Sequence, residues 1–82
     1  MTSYLVETFV PGAQAGDARA AGRRARAAAR EASRGGVSVR YVRTTLVPGD
    51  ETWFHVFEAD SHDAVAQVCR LAGMCRREPS VE

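Results

Sequence analysis

Pro48-Gly49 stands between two runs of strand-forming residues, and this constrains the chain more than any other feature. Proline fixes φ and glycine accepts positive φ, so the dipeptide predicts a tight turn. Upstream, Val37 to Val47 is rich in β-branched residues, and Val37, Val39 and Tyr41 alternate with Ser38 and Arg40. Downstream, Thr52 to Ala59 carries the only Trp, two of the three Phe and one of the two His. Two such runs around a short turn predict an antiparallel hairpin. The hairpin fixes the middle of the fold and places an imidazole, His55, on a sheet.

The flanking segments complete a pattern. Tyr4 to Val10 reads as a first strand that Pro11-Gly12 ends. Asp17 is a candidate N-cap for a helix over Ala18 to Ser33. In that helix Ala18, Ala21, Ala25, Ala28, Ala29 and Ala32 recur at helical spacing, and Arg19, Arg23, Arg26, Arg30 and Arg34 lie largely opposite. An alanine face lets the helix approach closely a sheet that supplies the larger side chains. Gly35-Gly36 predicts its C-terminal end. Ser61 is a second N-cap, followed by an apolar stripe of Ala64, Val65, Val68, Leu71 and Ala72, and Gly73 ends it. Met74 to Ser80 is left for a weak fourth strand, in which Pro79 marks an edge strand or the strand's end. The order β-α-β-β-α-β predicts a single α+β domain over residues 1–82. Its expected form is ferredoxin-like: a four-stranded antiparallel sheet with both helices on one face.

Composition narrows the partners. A chain of 82 residues buries a modest share of its surface, so homodimerisation through the open sheet face is the expected remedy. No apolar run is long enough to span a membrane, and Met1-Thr2-Ser3-Tyr4 does not open like a secretion signal. Two cysteines, Cys69 and Cys75, make no disulfide framework, and a reduced cytoplasmic setting is expected. All eleven basic residues are Arg and the formal net charge is +1. The balance argues against steering towards an acidic partner. Abundant Ala, Gly and Arg also fit a GC-rich coding sequence, which discounts the arginines as a functional signal.

Alternation sorts each strand into two sets, and an unpaired charge beneath the helices would be costly. Glu7 and Arg40 are therefore expected on the open face, with Val6, Val39 and Tyr41 towards the helices. The same logic places Phe54 and Val56 under the helices and Trp53, His55 and Phe57 on the open face. The expected ligand site is thus Glu7, Arg40 and His55, framed by Trp53 and Phe57 with Phe9 beside them. Glu7 and His55, doubled by a dimer axis, could hold a divalent metal such as nickel or zinc. His62, with Asp60, Asp63 and Glu58 at the second helix, forms another candidate group. An ordinary interfacial salt bridge with a satisfied histidine is the plainer alternative.

The chain resembles a family of small bacterial ferredoxin-like proteins of uncharacterised function, some described as nickel-binding. Tyr4-Leu5-Val6-Glu7, Val39-Arg40-Tyr41-Val42, Val47-Pro48-Gly49-Asp50-Glu51-Thr52 and Phe54-His55-Val56-Phe57-Glu58-Ala59 carry the resemblance. It implies a homodimer with a barrel-like interface and, in some members, nickel. The leading expectation is a small dimeric ligand-binding protein. An enzyme of the monooxygenase or isomerase kind, with His55 as general base, is the alternative, alongside a non-catalytic interaction module. An RNA-binding sheet is disfavoured because Asp50-Glu51 stands where basic residues would lead into the aromatic strand. A heavy-metal chaperone fails because Pro11 to Asp17 holds no Cys.

Overall fold

The computed structural model describes residues 1–9, 15–47, 49, 51–73 and 79–81. The elements run in the expected order: β1 (Thr2–Phe9), α1 (Ala15–Arg34), β2 (Val39–Val47), β3 (Thr52–Ala59), α2 (His62–Ala72) and β4 (Ser80–Val81). They form one four-stranded sheet, β2-β3-β1-β4, in which each neighbouring pair is antiparallel. β3 thus lies between β1 and β2, and β1 lies between β3 and β4. Each helix therefore links two strands that are separated by a third, an α+β arrangement compatible with a ferredoxin-like fold.

Local chemistry sets the boundaries. The Ser61 hydroxyl accepts from the Ala64 N–H at 3.2 Å, capping α2, and Gly73 closes that helix in the left-handed region at φ 71°. α1 begins earlier than the sequence predicts. Asp17 lies in its first turn, where its charge complements the helix dipole, and is not the cap. Gly35 donates to the Glu31 and Ala32 carbonyls, and Gly36 takes φ 93°. β4 is only two residues long. Residues 74–78, most of the segment expected to form it and including Cys75, lie outside the described residues, as do Val10 to Gln14, Asp50 and the Pro48 of the expected turn.

Both helices pack on the same face of the sheet. Ala25, Ala28, Ala29 and Ala32 of α1 and Ala64, Val65, Val68 and Cys69 of α2 meet Tyr4, Val6, Val39, Phe57 and Ala59 in one core. The alanine stripe performs as predicted, since Ala21, Ala25, Ala28, Ala29 and Ala32 are all buried. The larger side chains come from the sheet.

The faces of β3 are the reverse of the sequence expectation. Val6 pairs with His55, Tyr4 with Phe57 and Thr8 with Trp53 across the β1–β3 ladder, and directly opposed residues share a face. Trp53, His55 and Phe57 therefore face the helices, buried to 3 %, 0 % and 0 % exposure. Phe54, Val56 and Glu58 point to the open side with Leu5 and Glu7. The charge-cost argument holds for Glu7 and Arg40, both exposed. It fails for β3 because the imidazole is buried in its neutral form, with Nδ1 hydrogen-bonded to Thr44.

Phe57→Ala is expected to cost about 3–5 kcal/mol, as buried aromatics do, and Phe54→Ala less than half of that. Urea denaturation of the two variants checks the assignment. A larger loss at Phe54 would contradict it.

Candidate functional site

The residues with most chemical potential meet where α1 crosses β2. The β2–β3 register shifts between Tyr41, opposite Phe57, and Arg43, opposite Val56, which leaves Val42 as a bulge. In a regular strand Tyr41 and Thr44, three residues apart, would project to opposite faces. The extra residue puts both on the helix side, an effect typical of bulges near functional groups. Thr44 then stands directly across from His55.

A hydrogen-bonded chain results. The Tyr41 hydroxyl lies 2.6 Å from Thr44 Oγ1, which lies 2.7 Å from His55 Nδ1. Gly22 of α1 makes room for it, because a Cβ there would come within 3.0 Å of the Tyr41 hydroxyl and 3.3 Å of Thr44 Oγ1. The Tyr41 ring meets Phe57 edge-on at 5.8 Å, and the Arg26 guanidinium sits 5.5 Å from its centroid. The chain runs from a fully enclosed imidazole to a half-buried phenol. With the proton on Nδ1, His55 donates to Thr44, Thr44 donates to Tyr41, and the phenol O–H is left to donate outward.

The outer end opens on a groove between α1 and β2 with a volume of about 390 Å³. Arg19, Arg23 and Arg26 line it with Gly22, Tyr41, Thr44 and Leu46, and no acidic residue is among the described lining. The formal charge of +1 conceals this local excess of positive charge among the described lining.

The inner end lies on the face of the sheet that holds three buried polar atoms. His55 Nε2, Trp53 Nε1 and Thr8 Oγ1 have no hydrogen-bond partner among the described residues. All three belong to side chains on the helix side of β1 and β3. Burial disfavours the imidazolium, and the positive charge of Arg24 adds to the effect, so the His55 pKa falls from 6.5 to about 4. The ring is neutral at physiological pH. It is then a fixed dipole and a poor general base, since an efficient base has a pKa near the working pH.

The structure separates the residues expected to form one site. Trp53, His55 and Phe57 lie inside, while Glu7 and Arg40 lie outside. Arg40 pairs with Glu58 on the open face, and its guanidinium holds the Glu58 carboxyl below the usual carboxylate range. His62 starts α2, with its ring 6.4 Å from that of Tyr4 and Nδ1 4.0 Å from the Asp63 carboxylate. Glu7 and His55 therefore cannot share a metal within one chain. No group of three His, Cys, Asp or Glu side chains placed to hold an ion occurs among the described residues. Sequence reasoning missed Gly22, Tyr41 and Thr44. Strand alternation puts Tyr41 under the helices, where it lies, but nothing in Tyr41-Val42-Arg43-Thr44 marks a bulge.

The unfolded chain protonates His55 near pH 6.5 and the folded chain only near 4. This group leaves stability unchanged above about pH 6.5 and lowers it as pH falls towards 4, by up to about 3 kcal/mol. Denaturation across that range should show the decline, and His55→Gln should remove this part of it. An unaltered slope in the variant would refute the buried neutral ring. Comparison with family models, with curated proteins and with solved structures returned no match to this chain, so the functional reading rests on its own geometry.

Proposed function

We propose that this domain binds small oxyanions in the α1–β2 groove and does so without catalysing their reaction. The observation that carries the reading is the lining itself. Arg19, Arg23 and Arg26 line the groove together with Tyr41 and Thr44, and no acidic residue is among the described lining. Guanidinium forks suit carboxylate and phosphate oxygens. The neutral His55 anchors the hydroxyl chain, so that Tyr41 can present its O–H to an anion. The groove lining contains no Cys or Ser nucleophile among the described residues. With a weak base behind it, the arrangement favours recognition over chemistry.

Calorimetric titration with inorganic phosphate and pyrophosphate tests the reading. Binding should weaken with added salt, and Tyr41→Phe combined with Arg23→Ala should weaken it by about tenfold or more, as expected for hydrogen bonds to a charged group. Amide shifts in a parallel NMR titration should centre on Gly22, Tyr41 and Thr44. No binding, or shifts centred elsewhere, would overturn the proposal.

A second reading concerns assembly. The open sheet face carries Leu5, Val47 and Phe54, all half-buried, around Val56, which is 2 % exposed. A second copy of the domain placed there would bury these side chains. The dimer interface is then built from Leu5 and Phe54, in place of Trp53 and Phe57. Light scattering should give a dimer for the natural chain and a monomer for Phe54→Glu. A monomeric natural chain would rule this out.

A further inference from the structure

We infer that the outer edge of β2 accepts an extended acidic peptide as a fifth strand, its alternate carboxylates meeting the arginine row of α1. The inference rests on the oxyanion reading and names a partner for the same side of the molecule. β2 is the outermost strand of the sheet, nine residues long, and β3 pairs with only one of its edges. Among the described residues no strand pairs with its other edge, which the Val42 bulge divides into Val39–Tyr41 and Arg43–Val47, and such an edge is a template for strand addition. At the opposite margin β4 offers only two residues.

The charge lies where an added strand would need it. Two grooves adjoin along β2, of about 390 and 400 Å³, and both are lined by Arg26 and Tyr41. Arg30 and Arg34 line the second as Arg19 and Arg23 line the first, again with no acidic residue among the described lining. Arg19, Arg23, Arg26, Arg30 and Arg34 follow one another at intervals of three or four residues, a rise of roughly 4.5–6 Å per step along the helix. Alternate side chains of a strand are about 6.6–6.8 Å apart, a mismatch that the long arginine side chains absorb. The row runs alongside β2 from Leu46 to Val39.

Other occupants fit less well. A second copy pairing edge to edge would bring two arginine rows together. A single-stranded nucleic acid needs aromatic platforms for its bases. Tyr41 is the only aromatic residue in the described lining, and its ring is already engaged by Arg26 and Phe57.

The test uses fluorescence anisotropy with a labelled, alternating Glu-Val peptide about eight residues long, as a strand of that length would span β2. Its controls are a Lys-Val counterpart, the acidic peptide with alternate amides N-methylated along one edge or the other, and an oligothymidylate of similar length. The inference expects the acidic peptide to bind, and the Lys-Val peptide and one of the two N-methylated forms to fail. R30E combined with R34E should weaken the peptide by more than about tenfold and leave phosphate binding intact, because both residues lie outside the first groove. Equal binding of both N-methylated forms, tighter binding of the oligothymidylate, or self-association of the free chain through β2 would overturn it. Phosphate binding without peptide binding would overturn this inference alone, whereas loss of both would remove the oxyanion reading as well.

Discussion

The close packing of an alanine face on an aromatic strand is the constraint from which the rest follows. Alanines at the buried positions of α1 bring its backbone near the sheet, and little of the core volume then comes from the helix. The sheet must provide it. In β3 the set Trp53, His55 and Phe57 is bulkier than Phe54, Val56 and Glu58, and it turns inward. Interiors are packed to crystal density, so a small face on one layer selects a large face on the other. The imidazole is carried inside with its aromatic neighbours.

Burying His55 creates a need that β2 meets. An unpartnered polar group inside a protein costs about 1–3 kcal/mol, and Thr44 satisfies Nδ1. Thr44 can do so because the Val42 bulge rotates the later half of β2 by one residue. The same rotation leaves Tyr41 and Thr44 side by side, and Gly22 admits their hydroxyls beneath α1. A packing requirement in the core is thereby connected, through two hydroxyl groups, to a basic groove at the surface. The atoms left without a partner among the described residues, on Thr8, Trp53 and His55, lie on the helix side of β1 and β3.

Much of this was legible in the sequence, and the exceptions have physical causes. Gly35-Gly36, Ser61 and Gly73 marked helix boundaries because capping is local chemistry. The alanine stripe was legible because helical periodicity survives without tertiary information. The face of β3 was not, since alternation yields two sets without ranking them and a one-residue change of register exchanges them. Treating His55 as a charge to be kept outside gave the wrong choice, although the alanine face already called for bulky partners. The bulge has no glycine or proline to announce it. The arginines looked like composition because their common side along β2 exists only after α1 has docked. The expected joining of Glu7 to His55 failed for the same reason as the face of β3.

The most direct measurement of the central claim is a set of nuclear Overhauser contacts from the aromatic rings of β3. The account predicts contacts from Phe57 and His55 to the methyl groups of Ala25, Ala28, Val65 and Val68, and none from Phe54. Contacts from Phe54 and Val56 to those methyl groups, with the His55 ring open to solvent, would contradict it.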